Sequence, residues 1–552
     1  MRRTAVGRTL AIVLVGTLAL TMAACASDEG DATAGGTAPD ATAGTTPPIK
    51  ADPAASVGPK VGSPEDPLNQ DPVRPGATRQ HFEIGPITVH PGQNNIEFKA
   101  AQVPHPTEDG WIVRISPNLR KEDGTVPPVD VIHLHHAVWL NLARQDPTSA
   151  LPERIFAAGE EKSIATLPEG FGYRTEASDP WAMSYMIHNL FDFTEQIWIT
   201  YDLDVIPADA PEAQGITEAY PIWMDIQNGS TYPVFDAHKG SGGDDDTFTY
   251  PDEDPNAYPA GPRLNEWVVD RDLTLISTAG HLHPGGLYTD LLLQRPGVTP
   301  SGAAAETAEG ERARLFRSEF VYWEPAGAVS WDVAAKATPA DWRVEIKAGD
   351  VLSTTAAYDV AEASWYESMG IMVVWAVEGV PGADPFTEKV AVEGAITHEH
   401  LPENDNHGGE EAGLPNALEL PDGELVSDIL VDDFLYYEGD TSEVDTDIPL
   451  VAEGDSIVFD NQEFDEGPGV WHTITACKAP CNQTTGIAFP LANADIQFDS
   501  GQLGYGGAPT AERNTWSTPN DLPTGTYTYF CRVHPFMRGA FRVITAPDAP
   551  TN

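Results

Sequence analysis

The sequence predicts an all-β protein built as three consecutive β-sandwiches, and three observations carry that reading. Short alternating segments recur, among them "VDVIHLHHAVWLNL", "EQIWITYDLDV" and "LYTDLLLQ". Alternation with period two is the pattern of a strand with one buried face. The 49 glycines and 48 prolines punctuate these segments as turns. Helical periodicity is scarce, and 552 residues exceed what one core can organise.

Taken in order, residues 1–25 read as a lipoprotein signal peptide. Arg2, Arg3 and Arg8 form a basic start, an apolar run from Leu10 to Leu20 follows, and "TMAAC" places small residues directly before Cys25, the expected lipidation site. No other apolar run approaches the ~18–20 residues of a membrane span. The mature chain is therefore expected outside the cytoplasmic membrane, held there by a lipid anchor only. Residues 26–79 are Ala, Thr, Gly, Pro and Asp with few large apolar side chains, which predicts a disordered tether. Turn-rich breaks at Pro207–Gly215 and Thr397–Pro421 divide the remainder into blocks 80–210, 211–396 and 422–546, with 397–421 as a linker. A net charge of −53 argues against nucleic acid or an anionic lipid surface as partner.

The third block carries the sharpest chemistry. In "YTYFCRVHPFMRGAF" Cys531 ends a strand, and His534 and Met537 follow in a tight loop. His472, in "GVWHTITAC", lies on another strand that antiparallel packing can bring alongside. Two imidazoles, a thiolate and a thioether suit copper in a trigonal site with a weak axial sulfur, a centre that moves single electrons. The block resembles the cupredoxins, and its ligand loop is most similar to that of amicyanin. The resemblance implies a Greek-key sandwich with His472, Cys531, His534 and Met537 as type 1 copper ligands. Cys477 and Cys481 could be read as a binuclear-copper Cys-x3-Cys pair, but Thr485 stands where such a site needs histidine. A small-loop disulfide, contributing ~2 kcal/mol, is the expectation.

Upstream, His281 and His283 in "AGHLHPGGLY" sit two apart, so strand geometry projects both from one face. Met369 or Met372 in "YESMGIMVVW" could add a thioether. In "VIHLHHAVWL" alternation pairs His133 with His135 and turns His136 away, while His188 in "MSYMIHNLFDF" is a further candidate. This series resembles the copper type II, ascorbate-dependent monooxygenases, the peptidylglycine alpha-hydroxylating and dopamine beta-monooxygenase family, across residues 80–390. The resemblance implies two jelly-roll-like sandwiches, an electron-transfer copper on His135, His136 and His188, and an oxygen-binding copper on His281, His283 and Met369. It pairs His135 with His136, against strand parity; a bulge would reconcile the two. The family's peptide-acting members hold substrate with an arginine where Ala279 stands, and their animal relatives carry disulfides where this chain has no cysteine from Ala26 to Ala476.

Together these resemblances imply a copper redox lipoprotein. An external electron donor would reduce the type 1 centre, which would supply a dicopper module that uses dioxygen to hydroxylate a small substrate. A non-catalytic electron carrier or copper-handling protein is the alternative. A multicopper oxidase ranks below both, because Cys531 lies between Phe530 and Arg532 rather than between histidines. The linker histidines His398, His400 and His407 read as a solvated loop.

Overall fold

Strands make up nearly all the regular structure, as the sequence predicts, and several central ones are buried on both faces; the only helical pieces among the described residues are two short 3-10 helices, Pro211–Ala213 and Gly302–Thr307. The computed structural model describes residues 72–545 apart from 100–102, 130, 231, 260, 324–332, 362–363, 391–393, 401–414, 442–446, 464–469, 479–495, 505–512 and 535–536. Cys25, His407, Cys481 and the side chain of Cys477 fall outside the described residues, and with them the lipidation and disulfide expectations. No helix among the described residues is long and apolar enough to cross a membrane.

The first sandwich sets a sheet of Thr78–Val89, Glu195–Pro207, Gly110–Lys121, Phe171–Thr175 and Thr217–Glu218 against one of Asn94–Lys99, Trp181–Asn189, Ile132–Gln145 and Pro152–Gly159. Their apolar faces share a core containing Trp139, Tyr173, Trp181 and Tyr201, each contributing on the order of 2–3 kcal/mol by leaving water. Two boundaries differ from the sequence expectation. Arg74 hydrogen-bonds the carbonyls of Leu167 and Pro168, so the chain is docked before residue 80. Thr217–Glu218 still pairs with Phe171–Thr175, so the first sheet ends beyond residue 210.

The second sandwich faces Tyr220–Asp225, Ile371–Val377, Leu273–His281 and Val344–Ile346 against a larger sheet ordered Thr247–Tyr250, Val351–Asp359, Gly286–Gln294, Arg312–Tyr322, Val333–Ala337 and Ala395–Ile396. The third has sheets of six and four strands; Gly525–Phe530 pairs with both Thr475–Lys478 and Arg538–Ile544.

The three cores interlock. Ile276, Trp375 and Val377 of the second sandwich belong to the first core, and Ile496 and Phe530 of the third join Phe235, Tyr358 and Trp365 of the second. Arg154 also bridges the first two: its guanidinium contacts Asp146 at 2.7 Å and Asp225 at 3.1 Å, with all three side chains at 5% exposure or less, and it lies over the Trp223 ring. Removing one partner of such a network leaves uncompensated buried charge. Arg154→Ala is therefore expected to lower unfolding stability by about 3–5 kcal/mol, read as a shift in denaturant midpoint.

Candidate metal centres

The C-terminal site forms where two strand ends meet a loop. Thr475–Lys478 pairs with the strand that runs into Cys531, which brings the preceding His472 beside the loop. His472, Cys531 and His534 are all fully buried. Cys531 Sγ lies 3.8 Å from His472 Nδ1 and 3.9 Å from His534 Nδ1, and the two nitrogens are 3.2 Å apart. Donors on three bonds of ~2.0–2.3 Å at trigonal angles would be about 3.5–4 Å apart; the two sulfur–nitrogen distances fall in that range and the nitrogens stand slightly closer. Backbone N–H groups of Thr473 and His534 donate to the sulfur at 3.3 and 3.2 Å. Burial raises the Cys531 thiol, but His472 and these N–H donors outweigh it and hold it below the usual thiol range. His472 Nε2 meets Glu463 Oε2 at 2.5 Å. Burial pulls this imidazole down, yet Cys531 and Glu463 together lift it to about 9. Met537 is buried in the same core, and its N–H donates to the His534 carbonyl.

The upstream histidines come together in one buried cluster. His133, His135, His136, His188, His281 and His283 are all 7% exposed or less. Ring centroids step from His281 to His283 (5.2 Å), His135 (4.3 Å), His133 (6.1 Å) and His188 (5.0 Å), with His136 5.7 Å from His135. His135, His136 and His283 present ligand atoms within 4.8 Å of one another, as do His133, His135 and Glu160, and Glu160, Glu161 and His281. The parity conflict dissolves in a register break: His133 pairs with His188 and Leu134 with Ile187, but His136 pairs with Met186, so His135 is the extra residue of a bulge. All three histidines then border the same cluster.

The ring nitrogens show what this cluster is built for. His133 Nδ1 bonds the Val129 carbonyl (2.6 Å), His135 Nδ1 bonds Glu160 (2.5 Å), His281 Nδ1 bonds Glu161 (2.8 Å) and His283 Nδ1 bonds the Glu367 carbonyl (2.6 Å). Acceptors at Nδ1 fix the tautomer and leave the Nε2 lone pair for a cation. His281 Nε2, His283 Nε2 and His136 Nδ1 are buried with no hydrogen-bond partner among the described residues, an arrangement that costs stability unless a cation fills it. Burial holds His136, His188 and His283 well below the usual imidazole range, neighbouring histidines adding to it; neutral imidazole is the ligand form. Burial would raise Glu160, but His135, His133 and His281 bring it to about 2. The residues fit a metal.

Met369 is 2% exposed, with its N–H and carbonyl both bonded to the Tyr358 hydroxyl, which also accepts the His283 N–H. It packs with Trp223, Val234 and Tyr232, and the Tyr232 ring is 5.8 Å from that of His136. Met372 pairs with Gly280 and lies wholly inside the second core. Ala279 stands two residues before His281 on the same strand face.

Sequence reading did not single out Glu160, Glu161, Glu463, Tyr232 or Glu367; the paired acids of "AAGEEK" directly after a strand were the available signal. Nor is His398 solvated: it is 8% exposed, and its Nε2 bonds the carbonyls of Glu161 (3.0 Å) and Val333 (3.1 Å).

The two centres touch. His188 and His534 stand with ring centroids 6.1 Å apart, and His534 hydrogen-bonds the backbone of Gly92 in the first sandwich. Gly92 has φ +56°, and a Cβ there would lie 2.7 Å from Phe434 and 3.1 Å from His534 Nε2. A cavity of about 90 Å³ borders this junction, reached by His135, His188, His283, Glu367 and Arg532.

No protein-family model matches the chain, and no curated protein matches it. Among solved structures, a reduced amicyanin variant is 19% identical over 24% of this chain and 92% of its own, with a TM-score of 0.13. A copper-containing nitrite reductase from Thermus scotoductus SA-01 is 14% identical over 50% of this chain and 55% of its own (TM-score 0.15). The major capsid protein P2 of bacteriophage PM2 is 8% identical over 55% of this chain and 100% of its own (TM-score 0.22).

If the carboxylates anchor ligands, Glu160→Gln and Glu161→Gln should each weaken metal binding upstream by about 10–100-fold in a chelator-competition titration, leaving the Cys531 site unaffected. Gly92→Val should disturb the Cys531 site from another sandwich, seen as a change in its visible spectrum with copper.

Proposed function

We propose that this chain is a copper-dependent oxidoreductase in which the third sandwich collects single electrons and the upstream histidine cluster spends them on dioxygen, hydroxylating a C–H bond. The observation that carries this is the 6.1 Å contact between His534 and His188, each beside its own set of converging donors. Copper would supply one-electron redox at His472, Cys531, His534 and Met537, and dioxygen activation at the cluster, where His135, His136 and His188, and His281, His283 and Met369, are the candidate ligands. The protein's own part is organisation. The two N–H groups on Cys531 Sγ and the Glu463–His472 pair hold the first site in one geometry, which limits rearrangement between oxidation states. His534 and His188 provide a through-ring contact for an electron leaving the third sandwich. The cavity of about 90 Å³ admits a diatomic molecule or a few waters, and Glu367, raised by burial to about 8, stands at its edge beside Tyr232.

The electron donor is an external redox partner. The basic and apolar start of the chain, with Cys25, supports an extracytoplasmic, lipid-anchored location. A second reading, a copper-storing or electron-carrying protein without turnover, draws on the near-complete burial of all six upstream histidines.

Copper stoichiometry with visible and paramagnetic spectra separates the two. About three coppers per chain, one of them intensely blue, with reoxidation by dioxygen after reduction, are expected of the enzyme. His188→Ala should keep the blue band yet slow its reoxidation by at least about tenfold. A reduced, fully loaded protein that consumes no dioxygen with any substrate would sink the enzyme reading.

A further inference from the structure

The second sandwich presents an unfilled face that leads up to His281. Ser277, Ala279 and His281 alternate onto one face of their strand, and their pairing partners Trp375, Val373 and Ile371 do the same on the next. That two-strand face does not close on its own sandwich's core. It looks across at Phe156, Ala157 and the Ser163–Thr166 segment of the first sandwich, and a pocket of about 200 Å³ remains between them.

Its chemistry is specific. Among the described residues no lysine or arginine lines it, and the one carboxylate, Glu161, is engaged, accepting from the Gly159 N–H at 3.0 Å and pairing with His281 Nδ1 at 2.8 Å. Ile164, Ile371, Val373 and Trp375 give apolar walls. Ser163, 7% exposed, has a hydroxyl with no hydrogen-bond partner among the described residues. His281, whose Nε2 is also without one, closes one end. A charged ligand would lose its hydration here with no counter-ion in return. An apolar cavity of ~150 Å³ accommodates benzene, so this one takes a molecule slightly larger.

We propose that this inter-sandwich pocket binds a small, uncharged, largely apolar organic molecule, about one substituted ring in size, with one polar atom for Ser163 and a C–H bond directed toward His281. Its role as the substrate pocket rests on the oxidoreductase reading; the binding itself does not. The reaction it serves is R–H + O2 + 2e− + 2H+ → R–OH + H2O. A C–H and the O–O bond break, a C–O bond forms, and the second oxygen leaves as water. The external donor supplies the electrons through the third sandwich, and solvent supplies the protons.

The test is calorimetric titration of the full chain, with and without copper, using benzyl alcohol and toluene against benzoate and benzylamine. Saturable binding of the neutral pair is expected, with the charged pair at least about tenfold weaker. Ala279→Trp should abolish that binding and Ala279→Leu should weaken it, each retaining the blue band of the copper-loaded third sandwich as the check on folding. Ser163→Ala should weaken benzyl alcohol and leave toluene unchanged. No binding of the neutral probes, preference for a charged one, or undiminished binding in a folded Ala279→Trp variant overturns the proposal. Dioxygen uptake is measured separately. Binding without uptake removes the enzyme reading and leaves the pocket, whereas uptake indifferent to Ala279 substitution, without neutral-probe binding, removes the pocket and leaves the enzyme.

Discussion

Withdrawing six imidazoles from water is the constraint on which the rest of the structure depends. Burial disfavours the charged form and holds His136, His188 and His283 well below the usual imidazole range; at His281 burial is outweighed by Glu161 and Glu160, which raise that ring. A neutral imidazole has one N–H to satisfy and one lone pair to direct. The fold answers the first need at the periphery, with Glu160, Glu161 and the carbonyls of Val129 and Glu367 receiving Nδ1 protons. It turns the remaining nitrogens toward one another, where only a cation removes the cost of desolvating them. Two adjacent carboxylates would repel in an ordinary core. Here His135 and His281 separate their roles, one carboxylate to each ring.

No single sandwich owns this arrangement. His135 comes from the first, His283 from the second, and their rings are the closest pair in the cluster at 4.3 Å. The third contributes His534, whose outer edge is fixed by Gly92 of the first. The apolar cores that cross each boundary, together with the Arg154 network, therefore set the geometry of the candidate donors as well as stability. A side chain far from the donors can alter them if it shifts one sandwich against the next.

Much of this was legible in the sequence, for identifiable reasons. Period-two alternation is a local property, and it gave the strands; the loop from Cys531 to Met537 is short enough that spacing alone brings its residues together. Met369 and Met372 were alternatives that only the resemblance separated; the structure buries Met372 in the second core and packs Met369 with Trp223 and Val234. What remained hidden depends on tertiary docking. Nothing in "HLHHAVWL" marks the bulge at His135, since no glycine or proline accompanies it. The approach of His283 to His135 requires two sandwiches to meet across about 150 residues of intervening chain. His398 looked solvated because its neighbours are polar, yet it is bonded to the Glu161 and Val333 carbonyls.

Arg532, one residue beyond Cys531, donates to the Ser364 carbonyl of the second sandwich at 2.7 Å and pairs with Asp499 at 2.6 Å. The loop that carries the cysteine, the second histidine and the methionine is thus also a clamp between domains. A carrier that delivers by diffusion must expose its histidine edge, release its partner and search again. In this chain that edge is packed against His188 of the first sandwich, so under the proposed function delivery would be intramolecular and independent of protein concentration. Under the same proposal the search would fall on the external donor, at a different face. On a chain of net charge −53, that encounter should be the step most sensitive to ionic strength.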